Sequence, residues 1–379
     1  MARGDRRDCA WRPLLSRGVG ASVSLSSPTR GKTAHTKRPC PTMTEMLTVR
    51  PATRDALIAD LKHSIDAQLL PLLDDAPFAL VDYPDHSNVG DSAIWLGETA
   101  FFSAHHRRPA YVSALKNHVD DELAAAIGDG TIFLHGGGNF GTIWKAHQDF
   151  RIAIMRRFPD NPIVQLPQSI HFASEDSVEE TARAIEAHGR FTLMVRDVPS
   201  LEFARRHFQC EVLLAPDMAF YMGALDRGPP KHDLFYLLRT DLEKSVEGQV
   251  RAGGRSIAVA DWLAEDRMQI RLVLAASRLL TIADNPRVAR VKTYDRLARA
   301  RLDRGTVMLF SGRAVVTDRL HGHILSTLLD LPHVALDNSY RKLGNFIDAW
   351  TGGFDRLRTA EALDEASALA GDLLGGGRR

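Results

Sequence analysis

Short apolar runs alternate along the chain with longer segments in which apolar residues recur every three or four positions. From Thr53 this helical period predicts a first helix that ends near Pro71. The short runs predict strands at 78–81, 131–134, 163–166, 192–195, 212–214, 234–238, 314–317 and 333–336. The periodic segments predict helices at 92–103, 143–157, 176–187, 199–207, 268–280, 286–304 and 321–329. Strands that alternate with helices predict an α/β fold with parallel sheets flanked by helices.

A change in composition divides this pattern into two halves. Glycine, proline and charged residues gather at 223–233 between two apolar runs, and we interpret 225–232 as a linker. The predicted domains are an N-terminal Rossmann-like domain at 44–224, a C-terminal Rossmann-like domain at 233–350 and a C-terminal helix at 351–379. Two such halves predict a binding cleft between them, because the carboxyl ends of their parallel strands face each other there.

The first 43 residues differ from the rest in charge and pattern. They contain nine arginine and lysine residues and two aspartates, so they carry +7 and the remainder carries −6. They show no apolar period, which predicts a disordered basic tail. Two origins stay open: an organelle transit segment, or a gene start assigned upstream of Met43 or Met46. The mildly acidic remainder gives no electrostatic reason to bind nucleic acid.

Composition narrows the class of protein. Of 379 residues, 44% are hydrophobic and 25% are charged, which is typical of globular domains. The cysteines Cys9, Cys40 and Cys210 fit neither a disulfide framework nor a zinc motif, which predicts a reducing, cytoplasmic environment. No run of 18 apolar residues occurs, so we expect no transmembrane segment, and the pattern reveals no amphipathic membrane anchor.

Glycine-rich polar segments follow two predicted strands of the first half, where α/β folds bind ligands. The segment NVGD at 88–91 opens a helix. Gly90 permits a close backbone approach, and Asp91 would either cap the helix or contact a substrate. The segment HGGGNFG at 135–141 contains consecutive glycines, whose backbone N–H groups we expect to be open to a phosphate or a sugar.

Cationic residues follow two predicted strands of the second half. Arg239 and Asp241 follow one strand, and a solvated ion pair is the simplest interpretation of them. Arg319 and His321 follow another strand at the start of a helix. Arginine can bind a phosphate or a carboxylate at two points, and histidine can exchange a proton near neutral pH. His321 and His323 do not share a helix face, so we expect no metal site there.

Taken in order, these motifs resemble the polysaccharide pyruvyl transferase family, enzymes that attach pyruvate ketals to sugars of bacterial exopolysaccharides and related glycans. The resemblance rests on NVGDSAI at 88–94, FLHGGGNFGTIW at 133–144, VRDVPS at 195–200, LLAPDMAF at 213–220, LLRTDLE at 237–243 and TDRLHGHILSTLLDLPHVALDNSYRK at 317–342. One position departs from the family pattern. Arg341 stands where the family usually has the glycine of DNSYGK, which affects any inference about the local turn.

The resemblance implies a fold similar to that of B-type glycosyltransferases, with phosphoenolpyruvate as co-substrate and no metal or other cofactor. It implies that the second domain binds the donor. The first domain would bind the acceptor, a glycan or a lipid-linked sugar, and a lipid-linked acceptor would bring the protein to the inner face of the membrane. Matched by position, the donor contacts are Arg239, Arg319, the backbone of Leu320, and His321.

The chemistry of ketal formation then suggests roles. Two arginines and a histidine complement the roughly three negative charges of phosphoenolpyruvate. C3 must be protonated and C2 attacked by two sugar hydroxyls, so we expect His321 to be the acid and Asp91 the base. The residues expected to bind the acceptor are Asn88, Gly90, Asp91, Gly137, Gly138 and Asn139.

Two other functions stay open from the sequence. One is a nucleotide-sugar glycosyltransferase of the same fold, and the other is a non-catalytic sugar- or phosphate-binding accessory protein of polysaccharide assembly. The segment Arg-Leu-His-Gly-His at 319–323 favours pyruvyl transfer over glycosyl transfer. Phosphate release from phosphoenolpyruvate would separate all three.

Overall fold

The computed structural model of the protein contains two parallel β-sheets, each flanked by helices. It describes residues 52–240, 254–337 and 341–375. The predicted tail at 1–43 and Asp241 lie outside these ranges. Within them, the two sheets confirm the predicted α/β class with its Rossmann-like halves.

The first sheet consists of β1 (Ala79–Val81), β2 (Tyr111–Ser113), β3 (Ile132–Leu134), β4 (Gly137–Gly141), β5 (Ile163–His171), β6 (Phe191–Val195) and β7 (Glu211–Leu214). Its strands lie in the order β2-β1-β3-β5-β6-β7, and β4 pairs with the end of β5. The helices of this part of the chain are α1 (Arg54–Leu69), α2 (Val89–Ala104), α3 (Asp120–Ile127), α4 (Lys145–Arg157), α5 (Glu175–His188) and α6 (Val198–His207).

The second sheet consists of β8 (His232–Leu237), β9 (Ile257–Ala260), β10 (Gly312–Thr317), β11 (His333–Leu336) and β12 (Leu357–Ala360). Its strands lie in the order β12-β11-β10-β8-β9, all parallel. The helices that follow or connect these strands are α7 (Arg267–Leu280), α8 (Pro286–Phe310), α9 (Leu320–Leu328), α10 (Lys342–Phe346) and α11 (Leu363–Gly375).

Local sequence explains the central strands and the helix starts. Helices cover both faces of the sheets, so central strands such as β3 and β11 are buried along their whole length and consist almost entirely of apolar residues. Side chains that accept N–H groups of the first turn begin four of the described helices: Asn88 for α2, Asp197 for α6, Asp266 for α7 and Asn285 for α8. Asn88 therefore caps α2, and the capping alternative for Asp91 is wrong.

The strands β2, β9 and β12, which the sequence pattern did not predict, lie at sheet edges. Each has only three or four residues, and β9 and β12 include exposed positions, so no long apolar run marks them. The segment 351–379 contains β12 as well as α11, so its prediction as a C-terminal helix alone is wrong. The strand β8 begins at His232, within the predicted linker 225–232. The domain bounds otherwise stay predictions.

A shared apolar core connects the two halves. The described residues belong to one compact unit, Met43–Arg379. Although α8 precedes β10 of the second sheet, it packs against α2 of the first half. The ring of Tyr294 on α8 stacks on that of Tyr83, with centroids 3.9 Å apart. Nε1 of Trp95 on α2 donates to Oδ1 of Asp295 at 2.9 Å. The relative position of the two sheets therefore depends on the contact between α2 and α8.

The last helix, α11, covers the face of the second sheet that points away from the shared apolar core. Ala366 and Ala370 of α11 are buried in a separate apolar cluster with residues of β8, β10 and β11. In the part of the chain that the structure describes, no helix combines the length and the apolar character needed to cross a bilayer.

Gly305 of α8 lies against α2, where a Cβ atom would come within 2.3 Å of Cγ1 of Val89. We expect Gly305→Ala to lower the free energy of unfolding by about 1–3 kcal/mol, because overpacking outweighs the better helix propensity of alanine. Gly375→Ala is the matched control, since a Cβ on that helical glycine meets no atom within 4 Å. Denaturant unfolding of both variants checks this. Equal stabilities would contradict close packing of α2 on α8.

Candidate active site

A cavity of about 380 Å³ opens where the two sheets meet. Its wall contains residues that directly follow strands of both sheets: Asp82 after β1, His135 after β3, Arg196 after β6, Asp318 after β10 and Asp337 after β11. The carboxyl ends of both sheets therefore face one cavity, which is where α/β folds bind their ligands.

The site residues predicted from the sequence come together here. The wall includes Asn88, Asp91, Gly138, Asn139, Arg239, Arg319, Leu320 and His321. Gly90 and Gly137 lie directly behind the wall. A Cβ on Gly90 would come within 2.4 Å of Nδ1 of His321, and one on Gly137 would lie 3.7 Å from Oδ1 of Asp91. The structure thus brings residues from both halves close together, and their chemical roles stay predictions.

The start of α2 presents Asp91 to the cavity. Oδ1 of Asn88 accepts the N–H of Gly90 at 3.1 Å, and Nδ2 of Asn88 donates to Oδ2 of Asp91 at 2.8 Å. Burial alone would raise the pKa of the Asp91 carboxyl, but the charges of His86 and His321 hold that pKa below its ordinary value. Asp91 is therefore a stable carboxylate and a weaker proton acceptor than an ordinary aspartate.

The glycine-rich segment is built differently from the expected open loop, because residues 137–141 form β4 against β5. The N–H groups of Gly136, Asn139 and Gly141 donate to side-chain oxygens of Glu98, Gln168 and Gln148, at 2.8, 3.0 and 3.0 Å. The expectation that these amides are open to a phosphate or a sugar is wrong for these three groups. Buried amides need partners, and side chains from distant elements supply them.

Glu98 and His135 form a buried pair beside the cavity. Nδ1 of His135 lies 2.8 Å from Oε2 of Glu98, and the two side chains are 2% and 0% exposed. Nε2 of His135 has no hydrogen-bond partner among the described residues, although its ring lines the cavity. When Nδ1 donates to the carboxylate, Nε2 of the neutral ring carries a lone pair. Burial alone would lower the pKa of His135, but the Glu98 carboxylate raises it above its ordinary value.

A second buried carboxylate, Asp217, contacts His321. Its Oδ2 accepts from Nη1 of Arg196 at 2.5 Å and lies 3.3 Å from Nε2 of His321. Burial alone would raise the pKa of the Asp217 carboxyl, but His321 and Arg196 hold it well below its ordinary range. The carboxylate therefore orients the His321 ring from one side, while Gly90 packs against the ring from another.

The predicted donor arginines are also held by neighbours. Nη2 of Arg319 donates to Oδ2 of Asp261 at 2.7 Å, and its guanidinium carbon lies 5.9 Å from the centre of the Trp262 ring. The backbone N–H of Arg239 donates to the carboxylate of Asp318, with 2.9 Å to Oδ1. Burial raises the pKa of Asp318 to about 6, so this carboxyl group titrates near neutral pH.

Other cations approach the glycine segment from both halves. A Cβ on Gly138 would lie 3.1 Å from Nη2 of Arg196 and 3.4 Å from Nζ of Lys342, which puts both cations over this glycine. Arg196, Lys342, Arg239 and Arg319 all line the cavity, and such a set of cations suits a ligand with several negative charges.

Two residues beside the cavity have left-handed backbone although they are not glycine. Asp82 has φ 70°, and its carboxylate accepts from Nδ1 of His147 at 2.8 Å. Arg341, with φ 49°, precedes α10 and donates to Asp348 at 3.0 Å. A glycine would adopt this conformation without strain, so Arg341 keeps the backbone that the family's usual glycine favours.

His321 and His323 have separate surroundings. Nδ1 of His323 lies 2.8 Å from Nε2 of His333, and its Nε2 lies 2.8 Å from Oγ1 of Thr351. Burial lowers the pKa of both His323 and His333, the latter to about 4, so both rings are neutral at physiological pH. His323 and His333 are packed in the protein interior, whereas His321 lines the cavity.

Sequence reasoning missed Glu98, Asp217, Asp261, His135 as an acid–base group, and Lys342. Glu98 carried a signal, since it is the one acidic residue in the otherwise apolar run 93–102. Asp261 follows β9, a strand that the sequence pattern did not predict. Asp217 follows β7 within the quoted motif LLAPDMAF, but the motif alone does not indicate the partner of this carboxylate. Only the fold shows that these carboxylates reach His321 and Arg319.

Fold and site together define a class of α/β proteins in which two parallel sheets enclose a cavity lined by arginines, a lysine and histidines that lie beside buried carboxylates. Comparison with known proteins names the family. The pattern of the family "Polysaccharide pyruvyl transferase" matches residues 88–340, and the chain belongs to this family, as the sequence motifs predicted.

Two relatives and one solved structure illustrate the similarity. "Pyruvyl transferase 1" of Schizosaccharomyces pombe is 32% identical over 296 residues, which cover 73% of this chain and 70% of that protein. "Putative pyruvyl transferase EpsO" of Bacillus subtilis is 31% identical over 313 residues, which cover 79% and 95%. An uncharacterized protein of Klebsiella pneumoniae has a TM-score of 0.51 at 17% identity, with 80% of this chain and 99% of that chain covered, which shows similarity of fold.

The raised pKa of Asp318 predicts a pH dependence of stability. A carboxyl group whose pKa is about 6 when folded and about 4 when unfolded stabilises the fold at low pH, and this contribution is lost as pH rises through 6. We expect wild type to lose about 1 kcal/mol relative to Asp318→Asn between pH 5 and pH 7.5. Urea unfolding of both proteins at the two pH values measures this. A constant difference between them would refute the raised pKa.

Proposed function

We propose that the protein transfers pyruvate from phosphoenolpyruvate to a sugar, as a ketal, with release of phosphate. The observation that supports this most is the convergence of Arg196, Arg239, Arg319 and Lys342 on one cavity. Phosphoenolpyruvate carries a phosphate and a carboxylate, the two groups that the guanidinium fork binds best. A cavity of about 380 Å³ also has the size of a small-molecule site.

We assign donor binding to residues at the ends of β8 and β10. Arg239 and Arg319 would bind the two anionic groups, and the N–H of Leu320 would add a contact from the first turn of α9. Asp261 and the Trp262 ring hold the Arg319 guanidinium in place before the ligand arrives, which reduces the entropy lost on binding. Asp318, when protonated, would lower the negative charge next to the donor.

We assign the acid to His321. The Asp217 carboxylate lies 3.3 Å from Nε2 of this ring, at the cavity, where a general acid could meet the donor. The base in this proposal is His135 instead of Asp91. The lowered pKa of Asp91 makes it a poor proton acceptor, whereas Nε2 of His135 is buried at the cavity without a partner among the described residues and is backed by Glu98. Asp91 would then bind a sugar hydroxyl.

The proposed reaction has two additions at C2. In the first, a sugar hydroxyl oxygen bonds to C2, its proton passes to Nε2 of His135, and C3 takes a proton from His321. In the second, the bond from C2 to the phosphate oxygen breaks and phosphate leaves with the electron pair. The second hydroxyl of the same sugar then bonds to C2. The two sugar hydroxyls lose two protons in total. C3 gains one proton as it becomes a methyl group, and the released phosphate gains the other.

The acceptor in this proposal is a glycan or a lipid-linked sugar that lies along Asn88, Asp91, Gly138 and Asn139. Glycine at 137 and 138 lets a sugar ring approach the backbone closely. Acid, base and cations are all side chains of this protein, so the proposal includes no cofactor besides phosphoenolpyruvate.

Phosphate release tests the donor assignment. Incubation with phosphoenolpyruvate and candidate glycans should release phosphate and add a pyruvate ketal to the glycan, measured by mass spectrometry. We expect Arg319→Ala to lower kcat/KM at least about 30-fold, since truncating one partner of a buried charge pair costs about 2–5 kcal/mol. Arg313→Ala is the matched control, because that exposed arginine lies on β10, the strand that leads to Arg319, and pairs only at the surface.

Two results would contradict the donor proposal. Turnover of Arg319→Ala equal to that of Arg313→Ala would remove Arg319 from the donor site. Transfer from a nucleotide sugar without phosphate release from phosphoenolpyruvate would instead identify a glycosyltransferase, and tight donor binding without any transfer would identify a binding protein.

The pH profile tests the acid and the base. A general base acts when it is unprotonated and a general acid when it is protonated, so the two roles predict a pH profile with one rising limb from His135 and one falling limb from His321. His135→Gln should lower kcat about 10²- to 10⁴-fold and abolish the rising limb, while His321→Gln should abolish the falling limb.

Asp91→Asn provides the comparison. If Asp91 only binds the acceptor, this variant should raise the acceptor KM and keep both limbs of the pH profile. A rising limb that survives in His135→Gln, together with loss of kcat in Asp91→Asn, would return the role of base to Asp91.

A further inference from the structure

The helix α7 exposes a stripe of large apolar side chains. Met268, Leu272, Leu279, Leu280 and, just beyond the helix, Ile282 are 59, 64, 71, 66 and 83% exposed. Met268, Leu272 and Leu279 follow at intervals of four and seven residues, so they share one face of the helix. Single exposed apolar residues are common, but an ordered stripe of them is typical of an interaction surface.

This stripe is separate from the face that packs on the protein. Ile270, Val273 and Leu274 pack against the core, and Ser277 is buried, with its Oγ 2.7 Å from Oγ1 of Thr293 on α8. Core packing therefore accounts for only one side of α7. The apolar residues on the other side have no role in holding the helix to the protein.

Positive charge flanks the stripe. Arg267, Arg271 and Arg278 recur on the flank of α7 between its core-facing and outer apolar sides. Residues 267–299 contain eight arginine and lysine residues and two aspartates, a net charge of +6, whereas the whole chain after residue 43 carries −6. The basic character is thus concentrated in α7 and the first half of α8.

A groove between α2, α7 and α8 extends this basic region. It has a volume of about 1060 Å³, and its cationic wall residues are Arg107, Arg108, Arg287, Lys292, Arg296 and Arg299, with Asp295 and Asp303 as its acidic ones. Val273 and Ala276 of α7 belong to the same wall, so the groove lies beside the helix that carries the stripe.

We propose that α7 docks this protein on the surface of an anionic lipid bilayer. The stripe would enter the level of the headgroups, and the arginine flank with the basic groove would contact lipid phosphates. A second copy of the chain fits less well, because a two-fold interface would bring two arginine-rich faces together. The N-terminal 43 residues, at +7, are repelled from this surface in the same way.

The position of α7 along the chain would bring a docked membrane near the cavity. Leu263 lines the cavity, and Met268, five positions further along the chain, begins the stripe. A membrane surface held by α7 would therefore lie close to one wall of the cavity, which suits an acceptor sugar carried on a lipid. The docking itself rests on the surface of α7 and not on the proposed reaction.

The sequence interpretation found no amphipathic anchor, although Arg267, Arg271 and Arg278 share one flank of α7 and most other positions of this helix are apolar. Along the sequence, the core-facing residues Ile270, Val273 and Leu274 are mixed with the exposed residues Met268 and Leu272. The apolar pattern alone therefore does not distinguish the two sides of the helix. Only the packing of the helix separates the inner apolar residues from the outer ones.

Sedimentation with vesicles tests the proposal on the full chain. We expect the protein to bind phosphatidylcholine vesicles that contain one quarter phosphatidylglycerol, to bind pure phosphatidylcholine vesicles much less, and to dissociate in high salt. Leu272→Glu combined with Leu279→Glu should weaken binding at least tenfold. Leu70→Glu, an exposed leucine at the end of α1 with 42% exposure, is the matched control and should bind as wild type does.

Further measurements make each outcome decisive. If the double glutamate variant has a lowered Tm, Arg271→Gln combined with Arg278→Gln replaces it and should weaken binding to the anionic vesicles alone. Phosphate release with a free sugar should be unchanged in all these variants, so loss of docking is distinguishable from failure of the proposed reaction. Absence of vesicle binding by wild type would overturn the proposal. So would a halved mass of the double variant in sedimentation velocity without any effect on vesicles, since it would identify a dimer interface.

Discussion

The contact between the first turn of α2 and the ring of His321 joins the two halves of the protein at the candidate active site. Gly90 has no side chain, so α2 can lie directly against the imidazole. The same helix carries Asp91 in the cavity wall and, two turns on, Glu98 behind His135. It also packs against α8 through Trp95. A small movement of α2 would therefore displace Asp91, the Glu98–His135 pair and the surroundings of His321 together.

Ionisable groups around the cavity are stabilised in buried pairs. Glu98 with His135, Asp217 with Arg196, and Asp261 with Arg319 each combine opposite charges at hydrogen-bond distance. Removing such charges from water is costly, and pairs of this kind add little net stability. In the proposed reaction their benefit would be to orient donors and acceptors before the substrate binds, which lowers the reorganisation required in the transition state.

Sequence reasoning succeeded where residues close together in the chain determine the structure. Apolar runs of β3 and β10 and the periods of α5 and α9 predicted strands and helices at the observed places, because helices cover the central strands on both faces. The ordered motifs predicted the family and eight of the residues that line the cavity. The sequence pattern did not predict edge strands such as β9, because three or four half-exposed residues carry too little apolar signal.

The sequence pattern could not predict contacts between distant parts of the chain. Glu98 and His135 are 37 positions apart, and Asp217 and His321 come from opposite halves, so only tertiary structure shows that they meet. For the same reason the glycine-rich segment was taken as an open anion site. Three of its N–H groups donate to side chains of Glu98, Gln148 and Gln168, which lie outside the segment.

The packing of α8 on α2 has a consequence for how this family could diversify. By sequence α8 belongs to the second half, yet its Tyr294 completes the core around Tyr83 and Trp95 of the first. Recombination at the linker would therefore combine an α2 and an α8 that had not been selected together. A new acceptor specificity is more readily reached by changing loops around an intact α2–α8 pair than by exchanging whole halves between relatives. We therefore expect the two halves to be inherited together as one unit.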